Sequence, residues 1–308
     1  MQINKNLKFI IFCFIVFLSF DSHTDEGFSI SAVIETPQVE INGNADDPAI
    51  WFNEEDPSLS IVFGTDKYNG VYSYNLSGDV IGFSKSGSMN NIDLRTLNNN
   101  TYIFTTDSSN NTVNVWVYKN SYLHNKSKEG SFALDKIPHH TSKVNFLAYG
   151  LCGGLSKKDE VIIFVTEAKG PGVQLWKFDD VKLSLLNTFN NSNAYESEGC
   201  VFDDENQKFF ISEENKKGVI RSYSLTNKLL LDNKFRIDDR DGNITGDPEG
   251  LAILKTSKHE GFLIASSQGN STFNIYARKH PHQFINSFKI VKNSSIDRVT
   301  DTDGIEIV

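Results

Sequence analysis

One short pattern recurs five times along the chain: GTDKYNGVYSYNL from Gly64, TTDSSNNTVNVWVYK from Thr105, VTEAKGPGVQLWKF from Val165, ISEENKKGVIRSYSL from Ile211 and ASSQGNSTFNIYARK from Ala265. Each copy reads as an apolar or small-residue strand, a turn of Asp, Asn, Lys and Gly, and a second strand alternating Val, Tyr, Trp, Ile and Phe. That is a β-hairpin. Six acidic or small-residue lead-ins accompany the hairpins: Asp46-Asp47-Pro48, Asn91-Ile92-Asp93, Tyr149-Gly150-Leu151, Ser197-Glu198-Gly199, Asp247-Pro248-Glu249-Gly250 and Asp303-Gly304. From Asp47 onward they return every roughly 46 to 56 residues, the spacing of propeller blades. No Pro/Gly/Ser-rich linker interrupts the series, so the spacing predicts one all-β domain over residues 30–308, a six-bladed β-propeller. Five residues follow the lead-in at Asp303, so the last blade is expected to be incomplete.

Residues 1–22 read as a secretory signal, with Lys5 and Lys8 ahead of an apolar run from Phe9 to Phe20 that is short for a bilayer span. A secreted or periplasmic protein is expected, with no membrane association once the signal is removed. Beyond the leader lie only Cys152 and Cys200, in different repeats and without metal-ligand spacing; they are expected as buried thiols rather than as a disulfide. Trp51, Trp116 and Trp176 fall at strand phase and belong in the core. His139-His140 and His280-Pro281-His282 sit in polar loops and read as solvated surface. The net charge of −9, with no Lys/Arg cluster, argues against nucleic acid as a partner.

In a propeller the first strand of each blade lines the central channel, so lead-ins at the starts of those strands converge. Asp46, Asp47, Asp93, Glu198, Asp247, Glu249 and Asp303 would then crowd together, and like carboxylates a few ångströms apart cannot all ionise without a counter-charge. A hard cation supplies one. Oxygen donors without His or Cys suit Ca²⁺ rather than zinc or copper. Any single Asp-Gly lead-in is better read as turn chemistry than as a ligand, because Asp bonds its own backbone and Gly takes positive φ. The metal reading rests on the set.

On these residues the chain resembles the β-propeller phytases, alkaline 3-phytases that dephosphorylate myo-inositol hexakisphosphate with Ca²⁺. The matching strings are DDPAIW at Asp46, NNIDLR at Asn90, YG at Tyr149, SEG at Ser197, the pair Glu213-Glu214, DPEGLAI at Asp247, SSQGNS at Ser266 and DTDGI at Asp301, in family order over roughly residues 40 to 308. The resemblance implies that Asp47, Glu198, Glu213, Asp247, Glu249, Gln268, Asp297 and Asp303 hold calcium. It further implies catalytic roles for Lys67, Tyr149, Lys169, Glu198 and Asp303, with a metal-activated water attacking phosphorus and a monomer acting on the calcium complex of phytate.

Two departures from the family pattern stand out. The second hairpin turn carries Asp107-Ser108-Ser109 where the family has Asn-Arg, with Arg95 and Arg221 as candidate replacements, and the sixth hairpin is absent from this sequence. The alternative reading is therefore a non-catalytic, calcium-stabilised binding propeller or an inactive truncated phytase. Other phosphatase classes leave no mark, since neither Arg-His-Gly nor Cys followed six residues later by Arg occurs.

Overall fold

The computed structural model describes residues 27–39, 43–192, 194–214 and 216–308, so the leader expected over 1–22 lies outside the described residues. A short strand, β1 (Phe28–Ser31), precedes the first sheet of β2 (Ala45–Trp51), β3 (Ile61–Asp66), β4 (Gly70–Tyr74) and β5 (Val80–Ser84). The second sheet is β6 (Met89–Leu97), β7 (Asn100–Asp107), β8 (Thr112–Lys119) and β9 (His140–Lys143), with helix α1 (Asn120–Lys128) inserted before β9. The third is β10 (Ala148–Leu155), β11 (Val161–Glu167), β12 (Gly172–Phe178) and β13 (Leu183–Asn190); the fourth is β14 (Cys200–Asp203), β15 (Lys208–Glu213), β16 (Val219–Leu225) and β17 (Leu231–Asp238). In the fifth, β18 (Leu251–Lys255), β19 (Gly261–Ser267), β20 (Thr272–Ala277) and β21 (Phe284–Val291) are joined at the outer edge by β1, parallel to β21.

The expected hairpins are the two middle strands of each sheet, β3–β4 through β19–β20. The expected six blades are corrected to five. The sixth lead-in contributes no sheet: residues 302–308 run between β18 and β2 without joining either as a strand, with Gly250 N–H bonded to the Asp303 carbonyl and Gly304 packed against Asp47 and Pro48. A lead-in thus occupies a place in the ring without building a blade.

Apolar residues sandwiched between neighbouring sheets form the core. Trp51 and Trp116 pack with Phe63 and Ile92 between the first two sheets, and Trp176 packs between the second and third. Cys152 and Cys200, on the neighbouring inner strands β10 and β14, form a disulfide with Cα atoms 5.7 Å apart. This corrects the expectation of free thiols: strands distant in sequence become neighbours only when the ring forms, and the pair then falls within disulfide reach. His282 is also corrected, because it is buried beneath Phe210, and burial lowers its pKa to about 4. Among the described residues no helix is long and apolar enough to cross a membrane.

Candidate functional site

Five hydroxyls, one from the second strand of each sheet, tie that sheet to the lead-in that follows. Thr65 donates to the Asn90 carbonyl (2.7 Å), Thr106 to that of Tyr149 (2.5 Å), Thr166 to Ser197 (2.5 Å), Ser212 to Glu249 (2.9 Å) and Ser266 to Thr302 (2.6 Å). The accepting carbonyl belongs to the mouth residue itself at Asn90, Tyr149 and Glu249 and to the residue just before it at Ser197 and Thr302, so each lead-in is anchored within one residue of the mouth. Asp46, Asn90, Tyr149, Glu198, Glu249 and Asp303 come to equivalent places around one mouth of the channel. In the first three lead-ins a bulge at the strand start, between Ala45 and Pro48, Met89 and Ile92, and Ala148 and Leu151, re-aims the side chain. The next residue is Gly in lead-ins three to six, because the neighbouring one passes too close for a side chain. A Cβ on Gly150 would lie 1.9 Å from the Glu198 carbonyl, and one on Gly199 1.9 Å from that of Glu249.

Glu198 is the hub of this ring. Its Oε1 accepts from Asn90 Nδ2 (2.7 Å) and lies 3.3 Å from Lys67 Nζ, while its Oε2 accepts from the Tyr149 hydroxyl (2.7 Å). Lys67 also pairs with Asp46 (2.7 Å) and lies 5.8 Å from the centre of the Tyr149 ring. Two carboxylate triplets share Glu198: Asp46, Glu198 and Asp303, and Glu198, Glu214 and Glu249, with ligand atoms in each within 4.8 Å of one another. Among the described residues, Glu214 Oε1 and Glu249 Oε2 are buried without a hydrogen-bond partner. Among the described residues, five carboxylates therefore face the Lys67 ammonium.

The electrostatic consequence is uniform in sign. Burial, then the Glu198 charge, raises the Asp46 pKa to about 10, that of Glu214 to about 9 and that of Asp303 to about 6. Burial, then Glu214, raises Glu249 to about 10. Burial opposes the Lys67 ammonium, but Glu198 and Asp46 outweigh it and hold its pKa above the ordinary lysine value. Each of these carboxyls binds its proton more tightly folded than unfolded. Their contribution to stability is full below the unfolded carboxylate range and is lost as pH rises through the raised values. The chelated protein is accordingly expected to lose melting temperature steadily between pH 5 and 9, and a saturating divalent cation to remove most of that loss. A flat or rising Tm for the chelated protein in differential scanning fluorimetry would contradict the cluster's charge state.

Of the residues expected at the site, Lys67, Tyr149, Glu198, Glu249 and Asp303 are brought together. Asp247 lies on the rim, paired with Arg240, and its charge reaches Glu214 and Glu249. Lys169 is an exposed turn residue at φ 60° beside Glu196, and Gln268 is half-buried at the turn after β19. Three expected ligands lie apart. Asp47 occupies the phase that is Gly in the later lead-ins and turns its carboxylate to the Ile92 N–H (3.0 Å). Glu213 sits where Asp66, Asp107 and Glu167 brace their own hairpin turns, and pairs with Arg221 (3.1 Å). Asp297 is on an exposed loop beside Lys292 (3.1 Å), its side chain 80% accessible.

Asp46, already expected among the converging carboxylates, stands in the cluster together with Glu214 and Asn90. The repeat itself carries the signal for Glu214: aligning the latch hydroxyls places Lys67, Ser108, Ala168, Glu214 and Gln268 in one column, two residues after each latch. Asp93 lies deeper, bonded to Arg95 (2.8 Å) and to the Gly153 N–H (2.8 Å). Arg95 is also tied to Asp204 (3.0 Å), so both arginines offered as replacements for the missing clamp are engaged elsewhere.

Comparison with known proteins adds three findings. A family model described as Phytase matches residues 9–308. The 3-phytase of Bacillus subtilis (strain 168) is 28% identical over 297 residues, an alignment covering 91% of this chain and 74% of that protein. Among solved structures, a putative 6-phosphogluconolactonase from Bacteroides fragilis NCTC 9343 superposes with a TM-score of 0.52 at 10% identity, over 79% of this chain and 84% of that one, a likeness of fold alone.

Proposed function

Because the chain belongs to the phytase family, we propose that it is a phosphoric monoester hydrolase that releases phosphate from phytate, with calcium held at the ring of lead-ins. The observation that carries this reading is the sharing of Glu198 by two carboxylate triplets directly beside Lys67 and Tyr149. Carboxylate oxygens alone, two of them buried without a partner, fit a hard divalent cation. Asp46, Glu198, Glu214, Glu249 and Asp303 would hold it. Bound there, calcium turns the acidic mouth into a surface for phosphate and makes a coordinated water more acidic.

The protein's own groups divide the remaining work. Lys67 is a fixed cation at the mouth and offsets charge on phosphoryl oxygens. The Tyr149 hydroxyl, whose pKa is raised by burial and then by Glu198, keeps its proton and holds the Glu198 carboxylate in place. Lys169, on the rim, offers a second cation to a polyphosphorylated substrate. Every group named comes from one chain, so a monomer suffices. Export through the leader agrees with the disulfide, which persists in oxidising compartments.

The second reading, a calcium-stabilised propeller without turnover, is favoured by the second hairpin turn. Ser108 N–H is bonded to Ser88 O (3.1 Å) and Ser109 Oγ to Ser88 Oγ (2.6 Å), and the turn directs no cation at the mouth. One assay separates the two: phosphate release from phytate at neutral to alkaline pH, with chelator and after calcium is restored. Hydrolysis lost with chelator and recovered with calcium is the expected result. Calcium binding without phosphate release would leave the binding module.

A further inference from the structure

Asn90 is the one ring residue that carries neither a carboxylate nor a phenol, and it is buried at 4% exposure. Both of its amide hydrogens are committed. Nδ2 donates to Glu198 Oε1 (2.7 Å) and to Asn91 Oδ1 (2.7 Å), two acceptors that fix which end of the amide is the nitrogen. Its carbonyl is pinned by the Thr65 latch (2.7 Å), and the strand register shifts between Met89 and Ile92, where Asn90 and Asn91 lie. Asn91 in turn hydrogen-bonds Asp47, whose other contact is the Ile92 N–H. A polar chain thus runs from the first lead-in through the second to the fourth, across strands no local contact would join.

We propose that Asn90 is a positioning residue for Glu198, clamping one carboxylate oxygen while Tyr149 holds the other, so that the shared carboxylate presents a single orientation to the cation and substrate. This rests on the function proposed above. Lys67 reaches the same Oε1 only at 3.3 Å and is shared with Asp46, so the Asn90 amide is the shorter hold on that oxygen. The neutral amide donates to it without adding the positive charge that would compete with a divalent ion. Partners of this kind, behind the ligands themselves, typically alter metal affinity or activity by about 10- to 100-fold.

The test uses the full chain with Asn90→Ala and, to preserve volume should the first fail to fold, Asn90→Leu. Calcium affinity by titration calorimetry is expected to weaken about tenfold and kcat on phytate to fall about 10- to 100-fold, with KM within about twofold. Combining either change with Tyr149→Phe is expected to cost less than the product of the two separate losses, since both hold one carboxylate. A folded variant whose calcium affinity and kcat stay within about twofold of the parent overturns the proposal. If the parent binds calcium but hydrolyses no phytate, the enzymatic reading fails and the affinity comparison alone decides on Asn90. If the parent binds no calcium, a crystal structure of the variant decides: Glu198 displaced from Tyr149 upholds the clamp, and Glu198 unmoved refutes it.

Discussion

Glu198→Gln is expected to lower phosphate release from phytate by at least about a thousandfold, the scale of losing a central electrostatic element of a phosphoryl-transfer site. The substitution keeps volume and removes one charge from both triplets at once. The amide nitrogen must also face a donor, either the Tyr149 hydroxyl on one side or Asn90 and Lys67 on the other. Stability is expected to respond differently. Without a cation, the lost attraction to Lys67 is offset by relief of repulsion on Asp46, Asp303, Glu214 and Glu249, so Tm in chelator changes little. With calcium, the rise in Tm expected of the parent should largely vanish. Phosphate release and melting curves on the same preparations check both halves, and a variant retaining a tenth or more of the parent kcat would remove Glu198 from the centre of the site.

The neighbours of Glu198 mark how far the chain can be read from its sequence. Periodicity delivers the hairpins, the lead-ins and their convergence, because these depend on spacing and turn chemistry. It does not deliver the phase within each lead-in. A shift of one residue along an extended segment turns a side chain to the opposite face, and the strand-start bulges absorb such a shift in the first three lead-ins. Convergence therefore names Asp46 and Asp47 together without separating them, and the ligand set implied by the resemblance takes Asp47 where Asp46 stands and Glu213 where Glu214 stands. For Glu214 the repeat does hold the answer, since the latch column Thr65, Thr106, Thr166, Ser212, Ser266 aligns it with Lys67.

The blade count departs from expectation for another reason. Six lead-ins predict six sheets only if each opens a strand, yet Asp303 enters the ring from an extended segment that pairs with no strand. Asp297, expected as a ligand from the resemblance, lies outside the ring on a loop held by Asn293, which accepts from the Ser295 and Ile296 N–H groups. Neither outcome leaves a periodic trace in the sequence.

The Cys152–Cys200 disulfide is illegible in the sequence for the same physical reason that makes it consequential, because it joins positions 48 apart that meet only when neighbouring blades close on each other. Closing a loop of that length removes unfolded-state entropy worth roughly 4 kcal/mol. For a domain of this size that corresponds to a Tm lower by on the order of 10 °C when the bond is reduced or when Cys152→Ala and Cys200→Ala are combined. The site should feel the change as well. Cys152 follows Tyr149 on β10, and Cys200 opens β14 two residues after Glu198, whose carboxylate meets the Tyr149 hydroxyl at 2.7 Å. Loss of the crosslink is therefore expected to weaken calcium binding before the fold melts, an order that titration calorimetry in reductant, well below Tm, would reveal. Alkylation of the denatured, unreduced protein should label neither cysteine. Labelling of both, with a Tm indifferent to reductant, would show that the strands are held together by the latch from Thr166 to Ser197 and by packing alone.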